Sequence, residues 1–290
     1  MSSKLALGSA NFGLDYGLTN KDGRISDAEL RKILSKAEAA HVEFIDTAQA
    51  YGDSEIRIGS IENSRFQIVT KIGVGLSKEY TKNSVVTLAK MSCDRLKKSN
   101  LYAIMLHRPE VLLDKFGTKI IKELQTLKSE NIVSKIGVSI SSPDILKEII
   151  NLFDFDIVQV PFNVFDQRIL SSGWADKLKE NNVEIHTRSV FLQGLLLLQK
   201  QKLPMYFADN WPDLMSSWFG FLETHKTDAK TIALSFALRQ PWIDKLVVGV
   251  DNVEQLKNLL KIEQSPPPLI FPKLECIDEN LIDPSRWKLK

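Results

Sequence analysis

Residues 135–161 read Lys-Ile-Gly-Val-Ser-Ile-Ser-Ser-Pro-Asp-Ile-Leu-Lys-Glu-Ile-Ile-Asn-Leu-Phe-Asp-Phe-Asp-Ile-Val-Gln-Val-Pro. The stretch opens with a short run, Lys135 to Ser139, and closes with another, Asp156 to Pro161. Both are continuously apolar at their centres, as suits parallel strands buried on two faces. Between them, Ser142 and Pro143 form an N-cap and first helical residue, and Ile145, Leu146, Ile149 and Ile150 then share one helical face. Parallel neighbours need a crossover, usually a helix. The stretch is therefore one strand–helix–strand unit.

The same alternation runs outward in both directions. Upstream strands are predicted at Leu5 to Ala10, Val42 to Thr47, Phe66 to Ile72 and Tyr102 to Leu106. Downstream strands are predicted at Val183 to Arg188 and Lys245 to Val250. Ser26 and Glu29 form a capping box ahead of Leu30, Ile33, Leu34 and Ala37. Lys119 to Ser129, Asp228 to Arg239 and Asp251 to Leu260 repeat the helical spacing. Eight strands with about eight helices predict an α/β fold, a (β/α)₈ TIM barrel. A doubly wound sheet is the alternative, but Gly8 to Gly13 (GSANFG) and Gly73 to Gly75 (GVG) match neither GxGxxG nor a Walker loop. The whole chain, 1–290, reads as one domain, since α/β barrels routinely reach this length. Gln199 to Trp218 reads as a long insertion after strand seven, and Ser265 to Pro268 (SPPP) as a stiff exit into a C-terminal tail.

Composition excludes several classes. At 43% hydrophobic and 26% charged residues the chain is neither disordered nor fibrous. A net charge of +2 without a basic block gives no reason to expect nucleic acid or an anionic membrane as partner. No apolar run approaches the roughly 18 residues of a membrane span and no leader opens the chain, so a cytoplasmic protein is expected. Cys93 and Cys276 are too few for a disulfide framework or a four-cysteine zinc site. Four histidines without HxH or HExxH spacing speak against a histidine-based metal centre, and no metal is expected.

Chemistry in such a barrel belongs at the C-terminal ends of the strands. Asp46 closes strand two with Tyr51 just beyond; Lys71 closes strand three; His107 follows strand four. Ser139, Gln159, Asn163 and Arg188 stand at the ends of strands five to seven. A lysine in the apolar run Ile68-Val69-Thr70-Lys71 needs a counter-charge if buried, which Asp46 can supply; that pair alone is equally consistent with a structural role. A tyrosine hydroxyl ordinarily loses its proton near pH ~10, and a neighbouring ammonium favours the phenolate. His107 can hydrogen-bond an oxygen on which charge develops. The set amounts to a proton donor beside an electrophilic carbonyl. It lacks an electron source, which a cofactor must bring.

Ile45-Asp46-Thr47-Ala48-Gln49-Ala50-Tyr51-Gly52, with Ser54-Glu55 and Ile58-Gly59 after it, resembles the aldo-keto reductase signature. So do Val69-Thr70-Lys71, Leu106-His107-Arg108-Pro109, Ile136-Gly137-Val138-Ser139 and Val158-Gln159-Val160-Pro161-Phe162-Asn163, in the family's order. The resemblance implies a (β/α)₈ barrel that reduces an aldehyde or ketone, a small-molecule carbonyl substrate, with NADP(H) or NAD(H). It implies Tyr51 as general acid, Lys71 as the cation beside it, Asp46 as its partner and His107 as the group that orients the carbonyl. Ser139 and Gln159 match nicotinamide contacts, and Ser189 to Gly194, with Gln193, the diphosphate segment. Gly249, Asp251, Gln255 and Asn258 fall in the adenosine segment. A monomer is the family default.

The sequence also departs from the family. Ile140 replaces a usual Asn after Ser139, and Arg188 replaces the aromatic that stacks on nicotinamide, a contact that its planar guanidinium can also make. The Arg-Ser-x-x-x-Gln-Gly run is similar to that of relatives from sugar-nucleotide and cell-surface polysaccharide clusters, which suggests a sugar-derived carbonyl. Asp251 is either a ribose ligand that repels a 2′-phosphate or the N-cap of the last helix; Lys257 or Lys261 is the candidate phosphate partner. The family's second adenine contact maps onto Leu259, with Asn258 one place early. Cofactor preference thus stays open. Two further functions are carried: a nucleotide-binding regulatory subunit with little turnover, and an aldolase using Lys71 as a Schiff-base amine. Asn11 and Phe12 are placed at the substrate pocket; His41, His186, His225, Trp211, Trp218 and Trp287 are expected to be structural.

Overall fold

A computed structural model of the chain describes residues 2–20, 23–61, 65–73, 84–266 and 271–289. Part of the Gly73–Gly75 and Ser265–Pro268 readings, at residues 74–75 and 267–268, lies outside the described residues. Eight parallel strands close in sequence order: β1 Leu5–Gly8, β2 Phe44–Asp46, β3 Gln67–Ile72, β4 Leu101–Leu106, β5 Val133–Ser139, β6 Ile157–Pro161, β7 Glu184–Arg188 and β8 Lys245–Gly249. Gly8 lies opposite both Asp46 on β2 and Gly249 on β8, which closes the barrel. The predicted (β/α)₈ barrel is the observed fold.

Strand alternation separates two apolar layers. Ile45, Ile68, Val158, Ile185 and Val248 face outward into the main core shared with the helices. Ala6, Phe44, Val69, Ile157 and Val247 form a smaller core inside the barrel. A step of two along β2, β3 and β6 therefore carries Asp46, Lys71 and Gln159 to the inner face at the strands' C-terminal ends. The N-terminal end is plugged by a polar cluster. Glu184 accepts from the Tyr102 hydroxyl at 2.6 Å and from Lys135, and His186 Nε2 stands 2.6 Å from its other oxygen. Burial opposes the Glu184 charge, but His186 and Lys135 outweigh it and hold the carboxyl at about 2, while burial pushes the Tyr102 hydroxyl up to about 12. His186, fully buried, meets Phe44 edge to face and turns to Glu184 rather than to the strands' C-terminal ends.

Helices cover the outside as the periodicity predicts. Ser26 accepts from the Glu29 N–H and opens Asp27–Ala39, but only half of the capping box forms. The Glu29 carboxylate accepts from the Val253 N–H at 2.8 Å instead, tying the first long helix to the last. Asp228 caps Ala229–Leu238. Helix Val253–Gln264 is capped by Asn252, whose side chain accepts from the Gln255 N–H, so Asp251 is not the cap. The insertion after β7 carries helices Met205–Asn210 and Pro212–Thr224. The tail returns to it: Phe207 and Trp287 meet edge to face at 4.9 Å, and Trp211 Nε1 donates to Asp278. Among the described residues no helix is long and apolar enough to cross a membrane, and no His/Cys/Asp/Glu group could hold a metal.

Candidate active site

The four residues singled out at the ends of β2, β3 and β4 converge. Lys71 is completely buried; its Nζ donates to Asp46 Oδ1 at 2.5 Å and to the Thr47 carbonyl at 3.2 Å. The other Asp46 oxygen accepts from Gln159 Nε2 at 2.7 Å, and Ser139 Oγ stands 3.3 Å from Gln159 Oε1. Burial favours the neutral amine of Lys71, but the charge of Asp46 outweighs it and keeps the ammonium above its ordinary range. Nζ lies 5.2 Å from the Tyr51 ring centroid. His107 stands edge-on to the same ring, with centroids 5.9 Å apart. A cation and an imidazole thus flank one phenol.

The backbone holds Tyr51 in place. The loop after β1 and the loop carrying Tyr51 touch main chain to main chain: a Cβ on Gly13 would lie 1.9 Å from the Tyr51 carbonyl oxygen. Gly52, at φ +58°, faces Gly13 in return. Beneath them the Ser9, Thr47 and Ser54 hydroxyls bond in a buried chain, Ser54 Oγ lying 2.8 Å from Ser9 Oγ and 3.2 Å from Thr47 Oγ1.

Burial, then the charges of Lys71 and Arg188, lower the pKa of His107 to about 4. His107 is therefore a neutral donor or acceptor at working pH. Its neutral form is favoured by folding, so the associated stability is complete above the unfolded value of ~6.5 and lost as pH falls towards 4. The expected result is an NMR titration of the His107 ring with no midpoint near pH 6.5, and a rate profile without a step there. A midpoint near 6.5 would remove this account of the imidazole.

Tyr51 and Asp46 open onto a cavity of about 440 Å³, within the usual range for small-molecule sites. Of the residues assigned to the cofactor, Arg188, Ser189, Gln193, Gly194, Gly249, Asp251 and Gln255 line it. Ser139 and Gln159 do not; they stand behind Asp46, bonded to each other and to it. Asn258 is exposed and its neighbour Leu259 takes the wall position. Lys257 pairs with Glu254, and neither it nor Lys261 lines the cavity. Phe12 is buried in the main core rather than at the pocket, and Trp218 is buried with its Nε1 donating to the Leu196 carbonyl.

Among the cavity-lining residues that the sequence reading did not single out are Tyr16, Thr19 and Lys230. The first two lie in the loop after β1, which crosses to the loop after β7 through Leu18 N–H and the Gln193 carbonyl at 2.8 Å. That second loop holds Ser189, Leu192 and Gln193 at positive φ as well as Gly194. Asp251 is held by its neighbours: Oδ1 accepts from Asn11 Nδ2 at 3.2 Å and Oδ2 from Gln255 Nε2 at 3.3 Å. The Asn11 Oδ1 is buried with no hydrogen-bond partner among the described residues.

A model of the Aldo/keto reductase family matches residues 4–266. An uncharacterized oxidoreductase of Bacillus subtilis (strain 168), YqkF, is 24% identical over 249 residues, 78% of this chain and 79% of that one. D-arabinose 1-dehydrogenase of Saccharomyces cerevisiae is 24% identical over 279 residues, 88% of this chain and 81% of that one. Among solved structures, aldo-keto reductase AKR11C1 from Bacillus halodurans in its holo form superposes with a TM-score of 0.71 at 19% identity, covering 93% of this chain and 89% of that one. The last likeness carries the fold.

Proposed function

The chain belongs to the aldo/keto reductase family, and from that premise we propose that it reduces an aldehyde or ketone to an alcohol with a proton from Tyr51. The observation that carries this reading is the convergence of Asp46, Lys71 and His107 around Tyr51, a phenol that opens onto the cavity. A nicotinamide cofactor, when bound, supplies the hydride. The residues present fit such a group: Asn11 Oδ1 awaits a donor at the cavity wall, and Ser189, Gln193 and Gly194 of the loop after β7 line the cavity with their backbone at positive φ. Ser189, Gln193 and Gly194 would hold the diphosphate together with Lys230, and Gly249, Asp251 and Gln255 the adenosine.

Each side chain then has one task. Tyr51 Oη holds the proton that the carbonyl oxygen takes as it becomes an alkoxide. Lys71, kept charged by Asp46, favours the phenolate left behind. His107, neutral, hydrogen-bonds the same oxygen and aims the carbonyl. Ser139 and Gln159 act through Asp46, fixing its second oxygen. The ion pair that orients Lys71 also disfavours the aldolase alternative, because a Schiff-base amine must be neutral to attack. The similarity to D-arabinose 1-dehydrogenase makes sugar-derived carbonyls the first substrates to test.

NADH is the proposed cofactor. Asp251 presents a carboxylate to the cavity, and of the lysines considered neither Lys257 nor Lys261 reaches it. A 2′-phosphate beside that carboxylate is repelled, whereas a ribose 2′-hydroxyl can donate to it. Fluorescence titration is expected to show tighter binding of NADH than of NADPH. Asp251→Asn keeps the shape and removes the charge; it should improve NADPH binding about 10-fold and change NADH binding much less. Equal gains for both would assign Asp251 a purely structural part. Failure of the wild-type protein to bind either nucleotide would refute the reductase reading itself.

A further inference from the structure

Asn163 lies just past the end of β6 and is fully buried, yet it does not itself line the cavity. Main-chain pairing of β6 with β7 runs as far as Pro161 opposite Arg188, and the Phe162 N–H still donates to the Arg188 carbonyl at 3.0 Å. There the ladder stops, because the Asn163 N–H turns to the Asp166 carbonyl at 3.1 Å and closes a turn in its own loop. The side chain takes over on the β7 side. Its Nδ2 donates to the Ser189 carbonyl at 3.0 Å, while Oδ1 accepts from the Phe165 and Asp166 N–H groups at 2.9 and 3.0 Å. Only an amide both donates one way and accepts the other; a carboxylate would keep the turn and lose Ser189.

Ser189 needs that support. It stands at φ +64°, a left-handed conformation that disfavours an L side chain by about 5- to 30-fold. Leu192 and Gln193 are left-handed as well, so the loop left to itself would populate other shapes. The Leu192 N–H also donates to the Ser189 carbonyl, at 2.9 Å, but that bond lies within the loop. Gln193 is held from the far side, where its carbonyl accepts from the Leu18 N–H at 2.8 Å. Asn163, by contrast, is rooted in the barrel. Its turn is clamped by Arg168, whose guanidinium donates to both oxygens of the buried Asp166 at 2.9 Å.

Resting on the reductase reading, we propose that Asn163 is a positioning residue that keeps Ser189 left-handed before the cofactor arrives. It acts through the Ser189 carbonyl, from behind the cavity wall. The loop then meets the diphosphate of the dinucleotide already in its binding shape, and the ordering is done during folding rather than on binding.

Asn163→Asp keeps the acceptor for the turn and removes the donor to Ser189. Titrated with NADH and with NADPH, which share the diphosphate, it should bind both about 5- to 30-fold more weakly than wild type. In steady state the nucleotide KM should rise by the same factor, while kcat at saturation stays within about 3-fold. Glycine takes the left-handed conformation unaided, so in a Ser189→Gly background the same substitution should weaken binding less than about 2-fold. A purely structural asparagine would lower the melting temperature in both backgrounds and leave nucleotide binding alone. That result would overturn the proposal, as would an equal loss of binding in both backgrounds. Should Asn163→Asp not fold, hydrogen exchange of the unliganded wild type decides. The Leu192 and Gly194 amides, which donate to the Ser189 and Phe191 carbonyls, should exchange at least about 10-fold more slowly than in an unstructured chain. Exchange at unstructured rates means that the loop forms only on binding, and it overturns the proposal too. If the wild type binds neither nucleotide, the reductase reading has failed instead, and the exchange rates still judge the loop.

Discussion

Tyr51→Phe is expected to lower kcat by about 10²- to 10⁴-fold, the usual contribution of a positioned general acid, while leaving the NADH dissociation constant within about 2-fold. The substitution removes one oxygen and keeps the ring. The edge-on contact with His107 and the backbone seat against Gly13 should therefore survive. No neighbour can take over the proton. Lys71 spends its hydrogen bonds on Asp46 and the Thr47 carbonyl inside the barrel wall. His107, with a pKa of about 4, is not a source of a proton at neutral pH. Steady-state kinetics beside a cofactor titration separate the two parts of the prediction. A variant that keeps full turnover would move the proton donor elsewhere, with Tyr16, the other cavity-lining phenol, the first place to look.

Most of the barrel was legible because each strand is a short apolar run and the strand ends in a parallel barrel must share one rim. The same argument reached Asp46, Lys71 and Gln159, since residues that end buried strands and carry polar atoms have few places to go. What sequence could not supply was reach. Tyr16 and Thr19 belong to a loop without periodicity, and they meet the loop after β7 only because Leu18 bonds to Gln193, far along the chain. Lys230 sits on an otherwise ordinary amphipathic helix, where a lysine reads as a solvated residue. Asn252 and Asp251 are both good caps by residue type; only the backbone decides that Asn252 holds the Gln255 N–H and Asp251 turns to Asn11. Gln159 is matched to a nicotinamide contact by resemblance alone; its bond to the second Asp46 oxygen depends on two strands, β2 and β6, that only the closed barrel brings within reach.

Lys71→Met and Asp46→Asn are expected to separate the stability of the buried pair from its part in proton transfer. Removing one partner leaves a buried charge without compensation, which typically costs about 3–5 kcal/mol. Lys71→Met strands Asp46 with Gln159 as its remaining side-chain donor, and Asp46→Asn leaves the ammonium with the Thr47 carbonyl and a neutral amide. Both single variants should melt well below wild type. The double variant removes both charges, and an asparagine at 46 can still accept from Gln159. Its stability should return most of the way, since replacing a whole buried ion pair is often near neutral. Activity should not return with it. Without the ammonium 5.2 Å from the Tyr51 ring, nothing in the wall favours the phenolate, and kcat should stay at least about 10²-fold down. Thermal melts and kcat on the same four proteins form one double-mutant cycle. Recovery of stability without activity assigns the pair to proton transfer; recovery of both would make it only a strut of the barrel wall.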